Sequence, residues 1–309
     1  MGVLFSNFSV SGLLVFILFV AALLVINEIS RRSKSMSIIM YCVVPVVLAG
    51  LIFTDILGST TGKTWFAWVK VISVLIIIYG FMLIRYTKLG KTKFAAIFPV
   101  VLLSLNIAEA VVREFEVFST FKELTVEGSG AVILGGPWNI MNAIAGILCI
   151  VTITGSVGIK ASKDSSRDMI WPDMTWLYIT GYTIWNFAYV YNCISTRSMY
   201  AGFGVLLAAI IAEVFFKRGA WLQHRAQTLV VYVMFALSFD YMQSDLFQIV
   251  PTYDQNMWMA VSVISLVINV GVFAYMIYSM IRYKKKPLVD EIFSHTKYYK
   301  ESVKVNKIG

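Results

Sequence analysis

Long apolar runs separated by short polar loops dominate the chain. Nine of these runs are each near the roughly 20 residues that an α-helix needs to cross a bilayer. The pattern therefore predicts an all-α integral membrane bundle of nine transmembrane helices. The predicted segments are approximately 9–29, 37–56, 65–86, 94–114, 138–158, 172–192, 199–216, 224–247 and 257–282.

The basic residues predict the orientation of this bundle. With the N-terminus outside, most of the 26 Lys and Arg residues fall in the inner loops and the C-terminal tail. The basic residues left for the outer half are Lys63, Lys70, Arg113, Lys122 and Arg197. Because cytoplasmic loops carry an excess of Lys and Arg, we expect the N-terminus outside and the C-terminus in the cytoplasm. Residues 1–283 would form the bundle, and 284–309 a basic, partly disordered cytoplasmic tail.

Composition agrees with a membrane protein. Hydrophobic residues make up 59% of the chain and charged residues 14%, whereas a soluble domain is about 25% charged. The net charge of +9 is explained by the loops, so the expected partner is the lipid bilayer and not nucleic acid. The three cysteines and two histidines have no spacing typical of a metal site, and no metal or cofactor is expected. The sequence indicates no oligomeric state.

The fourth predicted helix carries an acid and a base inside an apolar run. Asn106, Glu109 and Arg113 lie three and four residues apart and so share one face, with Glu109 and Arg113 in the favourable order for an ion pair. Each charge near the centre of a span costs roughly 2.5–3.5 kcal/mol on insertion scales. Three interpretations remain open: a structural ion pair of Glu109 with Arg113, an Arg113 side chain that extends to the outer surface, or a polar site that the other helices enclose.

The sixth predicted helix has the most regular polar pattern. Tyr178, Tyr182, Asn186 and Tyr189 form one stripe along it, and Trp185 borders the stripe. Phenols and an amide are an unusual face to offer to lipid, so the stripe should point inward. Packing with interhelical hydrogen bonds is the alternative.

Further polar residues fall at a similar depth on other predicted helices, including Lys70 on the third. This convergence predicts a polar-aromatic pocket open toward the outer face, because ionisable groups that face a bundle interior usually serve function. The candidate residues for binding a ligand, a proton or an ion are Glu109, Arg113, Asn106, Lys70, Tyr178, Tyr182, Trp185, Asn186, Tyr189, Asp240 and Gln243.

Three local features complete the prediction. Pro45 and Pro99 should kink their helices where neighbours satisfy the freed carbonyl groups, and the kinks should open space. The outer loop 114–137 could form an interfacial helix or a lid, and a plain connector is favoured. A cluster at the start of the eighth predicted helix could bind lipid phosphate or guard an exit, but an interfacial helix start is favoured. This cluster consists of Gln223, His224, Arg225 and Gln227.

Three functions fit these residues. The first is a small-molecule transporter or permease, although the matching broken helices of many transporters are not evident. The second is a membrane-embedded enzyme acting on a lipid or hydrophobic molecule, with Glu109 or Asp240 as base. No H-E-x-x-H or G-x-S-x-G motif supports it, so catalytic residues and enzyme status stay open. The third is a ligand-binding sensor or assembly partner.

Four segments resemble an uncharacterised bacterial multi-pass membrane family that is classed only as a domain of unknown function. They are Gly135-Gly-Pro-Trp-Asn-Ile-Met-Asn142, Asp168-Met-Ile-Trp-Pro-Asp173, Trp185-Asn-Phe-Ala-Tyr-Val-Tyr-Asn-Cys193 and Gly219-Ala-Trp-Leu-Gln-His-Arg-Ala-Gln-Thr228. The resemblance spans most of the chain. It implies location in the bacterial cytoplasmic (inner) membrane but no activity, cofactor or site.

Overall fold

The apolar runs form the helices of a bundle in the computed structural model, which describes residues 4–60, 65–127, 130–247 and 249–308. The α-helices are α1 (Val10–Arg32), α2 (Lys34–Ile38), α3 (Val44–Phe53), α4 (Trp65–Tyr86), α5 (Lys93–Thr120), α6 (Pro137–Val151), α7 (Trp176–Cys193), α8 (Val205–Phe215), α9 (Trp221–Ser238), α10 (Gln255–Tyr283) and α11 (Lys297–Asn306). Two π-helical stretches, Ile39–Val43 and Ser198–Gly204, lead directly into α3 and α8.

Six helical stretches within the described ranges are long and apolar enough to cross a membrane. They are Val10–Arg32, Lys34–Phe53, Trp68–Tyr86, Lys93–Thr120, Ser195–Phe215 and Gln255–Tyr283. The chain is therefore a helical, multi-pass membrane protein, as predicted, but the count of nine spans and the orientation of the termini are not confirmed. The other three predicted segments coincide with α6, which has only 15 residues, and with α7 and α9.

The helices α7 and α9 are less apolar because they lie inside the bundle. Nearly every residue in the first half of α9 is buried, including its polar ones. Polar side chains in such a helix meet other helices and not lipid, so they can form hydrogen bonds across the bundle. This position explains why the central helices have a weaker hydropathy signal than the peripheral ones.

Among the described residues, three short antiparallel pairs of strands connect loops at the ends of the helices. They are β1 (Phe5–Ser6) with β6 (Val250–Pro251), β2 (Thr125–Val126) with β3 (Val132–Ile133), and β4 (Lys160–Ala161) with β5 (Met169–Ile170). In the β1–β6 pair, Phe5 lies opposite Pro251. The β2–β3 pair occupies the predicted loop 114–137, where α5 first continues to Thr120. The described residues of that loop thus contain no separate interfacial helix.

Pro45 shows how the bundle accommodates a helix breaker. Proline lacks an N–H group, so the carbonyl four residues earlier, that of Tyr41, loses its usual partner. The hydroxyl of Tyr79 in α4 donates to this carbonyl at 2.9 Å. A neighbouring helix therefore satisfies the freed group, as the sequence predicted.

The C-terminal segment is ordered, whereas the sequence predicts a partly disordered tail. Its residues 291–308 dock on loops at one end of the bundle, which we call the tail face. Asp173 accepts hydrogen bonds from the backbone N–H groups of Ile292 and Phe293, at 3.2 and 2.7 Å. The hydroxyl of Tyr298 in α11 donates to Glu213 at 2.6 Å. These buried bonds fix the segment because each one satisfies a polar group that would otherwise lose its hydration.

A buried ionic cluster lies on the same tail face. The carboxylate of Asp168 accepts from Arg31 Nη1 at 2.6 Å and from Gln223 Nε2 at 2.7 Å, and Arg85 Nη2 lies 3.5 Å from it. Burial alone would raise the pKa of Asp168, but the charges of Arg85 and Arg31 and its hydrogen bonds outweigh burial and lower it. This cluster joins α1, α4, the β5 strand region and α9 into one unit.

Docking of the C-terminal segment should depend on pH through Asp173. Burial raises the pKa of Asp173 to about 6, although hydrogen bonds from Thr154 and from the backbone oppose the shift. An undocked Asp has a pKa of about 3.9, so the docked state binds a proton more tightly. The contribution of Asp173 to docking should be strongest below pH ~4 and should weaken by roughly 2–3 kcal/mol as the pH rises to ~6.

Hydrogen exchange at the amides of Ile292 and Phe293, corrected for intrinsic rates, measures this docking. In Asp173→Asn the pH dependence between 4 and 6 should disappear. Asp164→Asn is the matched control, because Asp164 is on the same face and its carboxylate is partly exposed. An unchanged pH profile in Asp173→Asn would contradict the assignment.

Candidate functional site

A small cavity opens between α4, α5, α7 and α9. Its volume is about 30 Å³, which holds a group the size of a water molecule or a carboxylate and not a whole organic molecule. The residues that line it are Val74, Ile77, Phe81, Pro99, Leu102, Leu103, Asn106, Tyr182, Leu222, Arg225, Ala226 and Leu229. The walls are thus mostly apolar, with one charged group among them.

The charged group is Arg225, which is only 6% exposed. Its Nη2 atom donates to Asn186 Oδ1 at 3.1 Å, and the phenol of Tyr182 also interacts with the guanidinium. Its Nε and Nη1 atoms are buried and have no acceptor among the described residues. No carboxylate in the described ranges forms an ion pair with it. A buried cation without a counter-charge is costly, so a ligand that supplies negative charge would be strongly favoured here.

The turn before α9 places Arg225 at this depth. Gly219 has φ +86°, a conformation that side chains strongly disfavour. Its N–H donates to Glu213 at 2.6 Å, and its carbonyl accepts from the Trp171 N–H at 2.8 Å. Since α9 starts two residues later at Trp221, Arg225 lies about one helical turn inside the bundle from the tail face.

The cavity also depends on Pro99 and on the half-buried residues around it. Pro99 lies inside α5, where it lacks the N–H group of a regular helical residue, and it lines the cavity. Ile77, Leu102 and Leu229 line the same space but are only half-buried. These half-buried residues lie on three different helices, so the cavity is least enclosed where α4, α5 and α9 meet.

The predicted aromatic stripe of α7 does point inward. Tyr178, Tyr182 and Trp185 are at most 3% exposed. The ring of Tyr182 packs edge-on against Trp185 and against Trp221, with centroids 5.4 and 5.0 Å apart. Tyr189 is half-buried and stacks on Trp185. Of the predicted residues, the structure brings Asn106, Tyr182 and Asn186 together at or beside the cavity.

Glu109 and Arg113 do not pair with each other. Glu109 is exposed and forms an ion pair with Lys70 of α4. Arg113 pairs with Glu127, and with Glu116 at 3.0 Å. The helical face that the sequence singled out is therefore a partly exposed face of α5 whose charges have partners from α4, α5 itself and the β2–β3 hairpin.

Asp240 and Gln243 lie at the end of the bundle opposite to the tail face. The Asp240 carboxylate accepts from the N–H and the hydroxyl of Thr60, at 2.8 and 2.6 Å, and Gln243 is exposed. Asp240 also borders an open depression of about 390 Å³ lined by Phe235, Phe239, Tyr241, Ser244 and Phe247. The predicted residues therefore divide between separate places and do not converge on one pocket.

A second buried polar centre surrounds Glu114, which the sequence analysis assigned to the outer loop. Glu114 is completely buried. Its carboxylate accepts from Asn139 Nδ2 at 2.6 Å and from Asn142 Nδ2 at 2.7 Å. Asn192 Nδ2 lies 3.4 Å and Cys193 Sγ 3.3 Å from it. All of these donors are neutral.

The spacing of residues in α5 contains a signal for Glu114. Leu103, Ile107, Val111 and Glu114 follow each other at intervals of four, four and three and are all buried. Glu109 and Arg113 lie on other faces. Because α5 is apolar nearly all round, this pattern does not show from sequence which face meets lipid and which meets protein.

Comparison with known proteins gives a family but no activity. No curated protein and no solved structure matches the chain. A family model described as "Family of unknown function (DUF5692)" matches residues 6–305. Since this match covers nearly the whole bundle and the docked C-terminal segment, the chain belongs to the DUF5692 family of unknown function.

Proposed function

We propose that this protein is a small-molecule transporter of the bacterial cytoplasmic membrane whose substrate is an amphipathic anion. In this proposal nine helices cross the membrane, with the N-terminus outside and the tail face in the cytoplasm. The abundance of Lys and Arg in the loops of the tail face supports the orientation. The resemblance to a bacterial membrane family supports the location.

One observation carries the proposal: the uncompensated guanidinium of Arg225 faces a small cavity with apolar walls. Guanidinium groups bind carboxylates and phosphates through two parallel hydrogen bonds. The unused Nε and Nη1 atoms of Arg225 lie on different edges of the guanidinium, so an anion would bind one of them and complete the pair with the second N–H of Nη2. The cavity admits only the anionic head, so the apolar part of the ligand lies between the helices near Ile77, Leu102 and Leu229.

Replacement of Arg225 tests this binding site. In Arg225→Gln the anion loses its buried charged partner, which costs about 2–5 kcal/mol, so affinity should fall at least ~30-fold. Arg225→Lys keeps the charge but loses the planar fork, and its affinity should be intermediate. Arg282→Gln is the matched control, because Arg282 is an exposed arginine in the last turn of α10.

Palmitate, lysophosphatidic acid and the uncharged hexadecanol are suitable probes, since they distinguish a carboxylate, a phosphate and no charge. Brominated palmitate should quench the fluorescence of Trp221, which packs against Tyr182 beside the cavity. Equal affinity for hexadecanol and palmitate, or full palmitate affinity in Arg225→Gln, would refute the site.

Movement of a fluorescent fatty acid between the leaflets of proteoliposomes then tests transport. The native protein should accelerate this movement, and Arg225→Gln should reduce it to the background rate. Binding without movement would favour the sensor or assembly partner. Conversion of the probe to a new compound would favour the membrane-embedded enzyme.

A further inference from the structure

The bundle contains a buried acid as well as a buried base without a described counter-charge. Glu114 contacts Asn192 and Cys193 near the end of α7. This contact is about two turns from Asn186, the partner of Arg225. The next residue in the chain, Arg113, directs its guanidinium to Glu116 and Glu127. No Lys or Arg in the described ranges forms an ion pair with Glu114. Ionisable groups held in this way inside a bundle are typical of proton pathways in membrane proteins.

The groups that surround Glu114 are otherwise neutral. From α6, Asn139 and Asn142 donate to its two oxygen atoms. From α7, Asn192 and Cys193 contact the carboxylate, and Tyr189 is near enough to interact with it electrostatically. From α10, the nearest polar groups are the hydroxyls of Ser262 and Ser265, which bond to Asn192 and Asn142.

Asn192 provides a partner for a protonated Glu114. Its Nδ2 atom faces the carboxylate, whereas its Oδ1 atom is buried and has no donor among the described residues. Half a turn of this amide would exchange the two atoms. Oδ1 would then accept a hydrogen bond from the O–H of a protonated Glu114, and Ser262 would donate to Oδ1 instead of accepting from Nδ2. The site can therefore satisfy both protonation states of the acid.

Fixed hydrogen bonds hold the other amides in one orientation. Asn139 Oδ1 accepts from the Gly136 N–H at 2.9 Å, which leaves its Nδ2 for Glu114. Asn142 Oδ1 accepts from Ser265 at 2.7 Å. Asn192 is thus the member of the set that has an unused acceptor, and it is the group that adjusts when the proton arrives or leaves.

The backbone of α7 joins this centre to the Arg225 cavity. Asn142 Nδ2 also lies 3.3 Å from the carbonyl oxygen of Trp185. The next residue, Asn186, accepts from Arg225. One peptide group therefore separates a residue bonded to the acid centre from a residue bonded to the base. An anion bound at Arg225 would repel a carboxylate at Glu114 and would favour its protonation.

We propose that Glu114 is a reversible proton-binding site and that its proton is taken up together with the anion at Arg225. The coupling rests on the proposed function; the proton site itself does not. A proton from water binds the Glu114 carboxylate as the anion enters, and both leave together. The pair carries no net charge, and the same factor that links anion affinity to protonation links protonation to anion binding.

Infrared spectroscopy without any ligand tests the proton site alone. As the pH is lowered, native protein should gain the C=O band of a buried, protonated carboxylic acid. This band should be absent in Glu114→Gln and present in Glu109→Gln, the matched control on the exposed face of the same helix. Glu114→Asp retains an acid and should show the band at a shifted position. This variant provides the test if Glu114→Gln does not fold. A band that persists unchanged in folded Glu114→Gln would overturn the proposal.

Binding of hexadecyl sulfonate, which stays anionic at all pH values used, tests the coupling in native protein. Its affinity should rise up to tenfold per unit fall in pH across the range where the Glu114 band grows, with uptake of one proton per anion. In Glu114→Gln the affinity for the sulfonate should be independent of pH. It should equal the affinity of native protein in which Glu114 is protonated. Binding to native protein without proton uptake would overturn the coupling. If the band titrates but no anion binds, the proposed function fails and the proton site stands.

Discussion

Replacement of Asp168 by Asn should destabilise the protein by about 3–5 kcal/mol. The change removes the negative charge between Arg31 and Arg85, which are 4% and 1% exposed. Removing one partner of a buried ion pair is strongly destabilising because the remaining charges cannot regain their hydration. Arg31 keeps an ion pair with Glu28, whereas Arg85 keeps hydrogen bonds to the carbonyl groups of Arg31, Ser166 and Arg167, at 2.5, 2.9 and 3.4 Å.

Unfolding by SDS titration from mild detergent micelles measures this loss. Asp164→Asn, four residues away, should change stability by about 1 kcal/mol or less, because that carboxylate is 44% exposed and solvent screens its ion pair with Lys217. Arg85→Gln should restore part of the stability of Asp168→Asn, since it removes a charge that has lost its partner. Additive losses in the double variant would show that the two residues do not act as a pair.

Replacement of Trp185 by Ala should have the second-largest effect, about 3 kcal/mol. Trp185 is completely buried and packs between Tyr182 and Tyr189. Its indole N–H has no acceptor among the described residues, so the loss comes from packing and the resulting cavity. Large-to-small changes of buried aromatic residues cost about 3–5 kcal/mol in soluble proteins. We expect the lower end of this range, because in a membrane the indole ring is surrounded by apolar lipid even in the unfolded state, so its burial gains less free energy.

Gly146 of α6 allows a second test of the same contact. A Cβ atom at this position would lie 2.6 Å from the indole nitrogen of Trp185 and 2.5 Å from Val111 Cγ2. Gly146→Ala alone should therefore destabilise the protein by about 1–3 kcal/mol through overpacking. In Trp185→Ala the contact with the ring is gone and only the contact with Val111 remains, so the same change should cost less stability than in native protein. An equal loss in both backgrounds would place the strain elsewhere.

The sequence predicted the class of fold and several local contacts because those features depend on short-range patterns. Apolar runs mark the helices whatever they pack against. The stripe of Tyr178 and Tyr182 indicated an inward face, since phenols are rarely offered to lipid. The sequence predicted that Lys70 lies at a depth similar to that of Glu109, and the two residues form an ion pair.

The location of the site could not be predicted because it depends on which helix faces are covered. Glu109 and Glu114 belong to the same apolar helix, but Glu109 is exposed and Glu114 is completely buried. Arg225 was interpreted as part of an interfacial helix start. Packing of α9 against α4, α5 and α7 buries it instead, and these contacts join residues far apart in the chain.

The ionic cluster on the tail face also has a consequence for biogenesis. Arg31 and Asp168 are separated by 137 residues. At synthesis rates of about 5–20 residues per second, the arginine waits on the order of ten seconds before its partner leaves the ribosome. During that interval Arg31 lacks its partner Asp168, so we expect the basic end of α1 to stay hydrated. We therefore expect the ion pair of Arg31 with Asp168 to form late in assembly, when α1 binds to segments of the chain that are synthesised after it.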